Sequence, residues 1–172
     1  MPQPTEPRQT ARDLISFIDA SPSPWHAVAS AEQRLLAQGF ERLEEGARWQ
    51  LAAGGRYYTV RGGASLLAFV AGSRPLAESG FRIVGAHTDS PGLRLKPRPA
   101  IGGDGLLRLG VEVYGGPILA TFADRDLSLA GRVVLRTAAG PHNGLFSLAS
   151  PVEFSSVPWP WAAWANCLMA SW

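Results

Sequence analysis

The sequence FRIVGAHTDSPG, residues 81–92, decides the fold prediction. Residues 81–86 predict a strand, and the apolar or small side chains at 83–86 are typical of a strand buried on both faces. Two polar side chains, His87 and Asp89, follow at spacing i, i+2, and Pro91 marks a turn. Sites in open α/β sheets form just beyond the carboxyl ends of strands, so this segment predicts a site beside a buried strand.

These two polar side chains have the chemistry of a metal ligand and its partner. A neutral histidine binds zinc through one ring nitrogen, and an acceptor on the other nitrogen fixes the tautomer and orients the ring. We therefore predict that His87 is a metal ligand and that Asp89 is the catalytic carboxylate that orients it. The spacing alone favours an ordinary turn without a metal, because H-x-D is a short and weak motif.

The residues before this segment predict two helices and a hairpin. The first helix is expected to start near Thr10 and to stop at residues 21–22. The second has Ser23 as its N-cap and Gly39 at the position of a left-handed C-cap. Residues 57–60 and 66–70 flank a Gly-rich turn, which indicates two antiparallel strands.

After Pro91 the pattern changes. Proline and glycine are frequent up to residue 105, which indicates a domain boundary near Pro97. Apolar residues then alternate strictly over 107–113, as in a half-buried strand of an antiparallel sheet, and residues 131–136 predict another strand.

Composition excludes some classes of function. The 172 residues carry 16 basic and 14 acidic side chains, a net charge of +2, without a basic block, so no nucleic-acid partner is expected. The single cysteine, Cys167, cannot form an internal disulfide or a cysteine-based zinc cluster. The first residues have no apolar core of a signal peptide, and a cytoplasmic location is therefore expected.

Several segments, taken in order, resemble the aspartyl-aminopeptidase-like family of zinc metallopeptidases. The resemblance covers about residues 13–136 and includes the zinc-ligand segment FRIVGAHTDSPGLRLKPRP. One departure is Thr121-Phe122-Ala123, where the family usually has a Trp-Phe pair. The other matching segments are SPSPWHAV (21–28), GGRYY (54–58), ESGF (78–81), GVEVYGG (110–116) and DRDLSLAGRV (124–133).

The resemblance implies an aminopeptidase with two zinc ions per complete site that removes N-terminal residues, often acidic ones, from peptides. It implies an α/β catalytic domain with an inserted, mainly β second domain, and a large homo-oligomer joined partly by the inserted domains. On this basis residues 1–96 would be the N-terminal part of the catalytic domain, with an incomplete sheet. Residues 97–136 would begin the inserted oligomerisation domain, and residues 137–172 would form an atypical tail.

Only two residues carry a family role by this resemblance: His87 as a zinc ligand and Asp89 as the carboxylate beside it. The family's other ligands and its general base have no match here. The family also has a histidine soon after the DRDLSLAGRV segment, but the surroundings of His142 differ, and no role is carried over. For His26, near the start of a helix, a structural role is favoured.

The tail differs in composition from the rest of the chain. Four of its residues are tryptophans at positions 159, 161, 164 and 172, and its one charged residue after Arg136 is Glu153. A reading-frame change or a truncated gene would produce such a tail, and the 172 residues alone are expected to be inactive. Two other hypotheses stay open: a non-catalytic assembly or regulatory fragment that pairs with full-length subunits, and a membrane-associated protein held by the tail. The membrane hypothesis is the weaker, because proline and polar residues interrupt the apolar stretch.

Overall fold

The computed structural model describes residues 6–103, 106–122, 126–148 and 164–170, the last range as backbone only. The chain separates into two compact units, the first ending at Thr88 and the second beginning at Asp89. Helices and strands occur together, which places the protein in the mixed α/β class.

The first unit combines two helices with a small sheet. Strand β1 runs parallel to β2, and β2 pairs antiparallel with β3, so that β2 is the middle strand. The hairpin predicted from the glycine-rich turn is thereby confirmed, with Arg61 opposite Ser65 at its end. The elements are α1 (Pro7–Asp19), α2 (Pro24–Ala37), β1 (Glu41–Arg42), β2 (Arg56–Arg61), β3 (Ser65–Val70) and the single-turn helix α3 (Leu76–Ser79).

Helix α2 has the two ends that the sequence predicts. At its start the buried Ser23 Oγ accepts a hydrogen bond from the His26 backbone N–H at 3.4 Å. At its end Gly39 has a φ of 75°, and the N–H of Phe40 donates to the carbonyl of Leu35. This is the Schellman arrangement, which satisfies carbonyls that the helix leaves without partners. Helix α1 instead starts earlier than predicted, at Pro7, so Thr10 lies inside it.

Replacement of Ser23 by alanine is expected to destabilise the chain by about 1 kcal/mol, because the first turn of α2 loses its side-chain acceptor. Urea unfolding of the 172-residue chain, followed by circular dichroism, measures this change. Ser65→Ala, at an exposed position of β3, is the control and should stay within about 0.5 kcal/mol. Equal effects of the two substitutions would contradict the capping role.

The core of the first unit lies where α2 meets the sheet. Its buried side chains are Trp25 and Val28 of α2 and Tyr57 and Tyr58 of β2. Around this core, Arg34 of α2 makes a bidentate pair with Asp13 of α1, with nitrogen–oxygen distances of 2.7 and 3.0 Å. Burial of the aromatic and aliphatic side chains supplies most of the stability, since exposed ion pairs contribute little.

The strand predicted for residues 81–86 is wrong in this structure. These residues have no regular secondary structure, and the side chains of Phe81, Ile83 and Val84 are 73%, 84% and 99% exposed. A strand buried on both faces requires neighbours along its edges. None of the strands in the described part of the chain pairs with residues 81–86.

The second unit is a five-stranded sheet in the order β5-β4-β8-β6-β7, antiparallel throughout. The strands predicted at 107–113 and 131–136 are confirmed as parts of β5 and β6. The buried residues Ser128, Leu129 and Ala130 begin β6, between β7 and β8. The strands are β4 (Gly92–Gly103), β5 (Leu106–Tyr114), β6 (Ser128–Thr137), β7 (Gly140–Leu148) and β8 (Trp164–Ala170), and a 3-10 turn covers Leu119–Phe122.

Two further features bear on the sequence predictions. Strand β4 runs through Pro97, while the division between the two units falls at residues 88 and 89. Whether residues 97–136 begin an inserted domain stays a prediction. Over the ranges that the structure describes, no helix is both long enough and apolar enough to cross a membrane.

Candidate functional site

Two residues of the segment 87–89 have defined hydrogen bonds. Thr88 makes its bond within the first unit, and Asp89 makes its bond within the second. In the first unit, Thr88 Oγ1 donates a hydrogen bond of 2.8 Å to the carbonyl of Ala64 in the β2–β3 turn. His87, immediately before it, is solvent-exposed. The imidazole of His87 is thus at the surface of the first unit, next to a residue whose side chain contacts the β2–β3 turn.

In the second unit, Asp89 is half-buried and its carboxylate has a defined partner. The hydroxyl of Tyr114 donates to Asp89 Oδ2 at an Oη–Oδ2 distance of 2.5 Å. Such a distance is typical of a strong hydrogen bond between a hydroxyl and an ionised carboxylate. A carboxylate accepts several hydrogen bonds through its two oxygens, and the Tyr114 hydroxyl supplies one of them.

Tyr114 is itself fixed by its surroundings in this unit. The guanidinium carbon of Arg94 lies 4.5 Å from the centre of the Tyr114 ring, within the range of a cation–π interaction. The hydrogen bond to Asp89 and the negative charge of that carboxylate raise the pKa of Tyr114 above its ordinary value of 10.0. The phenol therefore keeps its proton at neutral pH and acts as the donor to Asp89.

The donor chemistry fits part of a zinc site. An imidazole nitrogen, as in His87, is a ligand type that zinc accepts, but zinc sites use about four ligands, three of them from the protein in catalytic sites. No group of three or more His, Cys, Asp or Glu side chains suited to a metal occurs in the portion of the chain that the structure describes. The residues present can thus hold a zinc ion only together with ligands from elsewhere.

The remaining residues singled out by sequence lie apart from this segment. The Ser23 hydroxyl lies 2.7 Å from His26 Nδ1, and burial lowers the pKa of His26 below its ordinary value of 6.5. Both observations agree with the favoured structural role of His26. His142 is exposed on β7, opposite Leu135 of β6. Cys167 belongs to the backbone of β8, and residues 124 and 125 of the charged triplet lie outside the described residues.

Sequence reasoning missed Tyr114 and Arg94. Tyr114 is within the segment GVEVYGG, yet only its position in the sheet brings its hydroxyl to Asp89, 25 residues away in the chain. The apolar residues of β5 alternate strictly, and this pattern predicts a strand. It does not show which strand pairs with β5 or in which register.

Comparison with known proteins defines the class of protein to which these features belong. The sequence pattern of the family described as aminopeptidase I zinc metalloprotease (M18) matches residues 17–154. The chain therefore belongs to the M18 family, in agreement with the resemblance seen in the sequence.

Individual relatives agree with this assignment. A probable M18 family aminopeptidase 2 of Ectopseudomonas mendocina is 50% identical over 139 residues, which are 81% of this chain and 32% of the relative. The structure of a complex of Ape4 and Nbr1 matches with a TM-score of 0.80 and 39% identity, covering 84% of this chain and 28% of that one. The mApe1 dodecamer of S. cerevisiae matches with a TM-score of 0.76 and 31% identity, covering 83% and 34%. The chain thus spans about a third of the length of these relatives.

Proposed function

We propose that this chain provides the N-terminal part of a zinc aminopeptidase, which removes N-terminal residues from peptides. The family match over residues 17–154 carries the proposal, because it includes His87 and Asp89. Their local structures support it: His87 is exposed, and the carboxylate of Asp89 is fixed by a hydrogen bond. The activity is proposed for a complete protein, and this chain spans about a third of the length of the E. mendocina relative.

In this proposal each residue has one role. His87 binds zinc through one ring nitrogen, and Asp89 accepts a hydrogen bond from the N–H of the other ring nitrogen, which fixes the tautomer and the direction of the ring. When bound, the two zinc ions that the family resemblance implies supply Lewis acidity to the scissile carbonyl and to the attacking water. The remaining ligands and the general base would come from outside the described residues.

The Asp89 role is tested in a grafted enzyme, in which residues 17–136 of this chain replace the corresponding part of the E. mendocina relative. Asp89→Asn removes the negative charge but keeps the shape of the side chain. It is expected to lower zinc affinity or kcat by about 10–100-fold, the usual cost of losing the partner of a ligating histidine. Zinc content by atomic emission and turnover of an N-terminal-glutamyl chromogenic peptide are the measurements.

The unsubstituted grafted enzyme is the positive control of this experiment. The 172-residue chain alone is the negative control, because one histidine and its partner cannot complete a zinc site. Turnover by the 172-residue chain above that of its His87→Ala variant would contradict the expected inactivity. If the Asp89→Asn grafted enzyme kept its zinc and its kcat, the orienting role of Asp89 would be wrong.

The substrate preference, the location and the oligomeric state of the complete protein are further parts of the proposal. We propose a preference for acidic N-terminal residues, a cytoplasmic location and a homo-oligomer. The dodecamer of the S. cerevisiae relative supports the last of these. We also propose that residues 1–96 belong to the catalytic domain and that residues 97–136 begin an inserted oligomerisation domain. Residues 137–172 would form an atypical tail. Glutamyl and leucyl peptides, compared as substrates of the grafted enzyme, would test the acidic preference.

A non-catalytic role in assembly is the second candidate. The antiparallel sheet of the second unit supports it, because β5 and β7 lie at its two edges within the described strands and edge strands can pair with other chains. Co-elution of the 172-residue chain with the full-length E. mendocina relative in size-exclusion chromatography would support this role. Separate elution would count against it.

A further inference from the structure

The start of helix α2 has a histidine ring bound to the residue that caps the helix. Ser23 is the N-cap, and His26 is the third residue of the helix, where a capping box usually has Glu or Gln. The hydroxyl oxygen of Ser23 lies 2.7 Å from His26 Nδ1 and also accepts the backbone N–H of His26 at 3.4 Å. One buried hydroxyl therefore contacts both the ring and the backbone of the same residue.

The protonation state of His26 decides which hydrogen bonds this hydroxyl makes. In the neutral ring with its proton on Nε2, Nδ1 is an acceptor, so the Ser23 hydroxyl donates to it while its oxygen accepts the backbone N–H. In the imidazolium form both ring nitrogens are donors, and the hydroxyl proton loses its acceptor. Because Ser23 is buried, this loss is costly: water has little access to replace the acceptor.

Two further effects disfavour an imidazolium at this position. The first turn of a helix is the positive end of the helix dipole, which repels a cation. The ring is also half-buried, and burial lowers the pKa of His26 below its ordinary value of 6.5. The two effects have the same sign, so the folded first turn favours the neutral ring.

Charged side chains do not explain this preference. Burial is the one cause of the lowered pKa of His26 among the residues that the structure describes. Strand β3, which packs on α2, has no ionisable side chain. Ionisable side chains of α1, β1 and β2 reach α2 only beyond its first turn, through the pairs Asp13–Arg34, Arg42–Glu32 and Tyr58–Glu32 and the bond from Arg56 to the carbonyl of Gln38.

The first turn of α2 is also part of the core of the first unit. Trp25 and Val28, on either side of His26, are both buried. A Cβ on Gly63, in the β2–β3 turn, would lie 3.4 Å from the ring of Trp25. Movement of the first turn of α2 therefore also affects the packing on the β2–β3 turn.

We propose that Ser23 and His26 form a pH-sensitive cap, which holds the first turn of α2 while the imidazole is neutral and loosens it when the imidazole is protonated. The folded chain binds this proton less tightly than the unfolded chain. The stability that the cap contributes is therefore complete above the ordinary histidine pKa of 6.5 and is lost as the pH falls through the lower pKa of the folded chain. The inference concerns the first unit alone and is independent of the zinc proposal.

The first test is a pH titration of the 172-residue chain, followed through its histidine rings by nitrogen-15 NMR. The three histidines are assigned by substitution of each in turn. The midpoint for His26 should lie below that of the histidines in the urea-unfolded chain, and its neutral ring should have the proton on Nε2. A midpoint equal to or above that of the unfolded chain would overturn the proposal.

Ser23→Ala separates the cap from burial of the ring. It removes the donor to Nδ1, so the His26 midpoint should rise, whereas Ser65→Ala at an exposed position of β3 should leave it unchanged. Equal His26 midpoints in these two variants would mean that the cap does not sense the proton. Should Ser23→Ala fail to fold, the backbone amide signals of residues 25–28 decide. They should shift with the His26 midpoint, and signals that do not follow it would overturn the proposal.

The effect on stability is measured by urea unfolding between about pH 7.5 and 5.5, a range in which histidine titrates and most carboxylates do not. The helical signal in circular dichroism reports on the first unit, because α1 and α2 both belong to it. The urea midpoint should fall on acidification, and His26→Gln should remove most of this fall, because glutamine does not titrate and suits this position of a capping box. His142→Gln, at an exposed position of β7, is the control and should keep the fall. The same fall in His26→Gln as in the unsubstituted chain would contradict a pH-sensitive cap.

Discussion

Replacement of His87 by alanine in the grafted enzyme is expected to reduce aminopeptidase turnover by at least about 100-fold and to lower the zinc content of the purified protein. A catalytic zinc site typically has three protein ligands, and the loss of one leaves the ion with too few donors to stay bound at neutral pH. The loss should exceed that for Asp89→Asn, because outer partners of a ligand usually contribute only 10–100-fold. Metal analysis and steady-state kinetics of the same preparation measure both effects.

Ser65→Ala is the control in the grafted enzyme, since it changes an exposed residue of β3 and leaves the segment 87–89 intact. The Ser65 substitution should leave the zinc content of the purified grafted enzyme unchanged, and the His87 substitution should lower it. Equal zinc binding by the two variants would show that His87 is not a ligand. Unchanged turnover of the grafted enzyme after His87→Ala would exclude the catalytic proposal as well.

Replacement of Leu129 by alanine is expected to cost about 2–5 kcal/mol of the stability of the second unit. Leu129 is 2% exposed and lies in β6, opposite Leu148 of β7 on one side and Met169 of β8 on the other. Truncation of so buried a side chain removes its burial and leaves a cavity between strands that pair on both edges. Because domains are stable by only about 5–15 kcal/mol, this loss is a large part of the total.

Urea unfolding of the 172-residue chain, with the intrinsic tryptophan fluorescence as signal, measures the Leu129 effect. Leu107→Ala is the matched control, because Leu107 of β5 is 56% exposed and should cost well under about 1 kcal/mol. Similar midpoints for the two variants would mean that β6 does not form the centre of a cooperative core.

Helix ends and turns were the part of the fold that the sequence predicted best. Ser23 and Gly39 mark the ends of α2 through contacts within a few residues, and the glycines of the β2–β3 turn act in the same local way. The alternation in β5 similarly follows from one face of a strand being more buried than the other. Each of these signals depends only on residues of the same helix, turn or strand. The sequence of that segment is therefore enough to predict the feature.

The prediction of a buried strand at residues 81–86 shows that local sequence patterns alone can be misleading. The apolar residues of this segment predicted a buried strand, but burial depends on neighbouring strands, and the described part of the chain supplies none for it. The side chains of Phe81, Ile83 and Val84 are therefore exposed apolar surface in the described part of the chain. The matching part of this chain spans about a third of the length of the E. mendocina relative.

Some features of the candidate site follow from the sequence, and others follow only from the tertiary structure. The sequence by itself determined the family and the choice of His87 and Asp89, because several ordered segments resemble the family. It determined most local elements through short-range spacing and residue chemistry. Tertiary structure alone decided that the Tyr114 hydroxyl binds Asp89 and that Arg94 covers the tyrosine ring. These contacts depend on the register between β4 and β5, which is set by packing across the whole sheet and not by any local pattern.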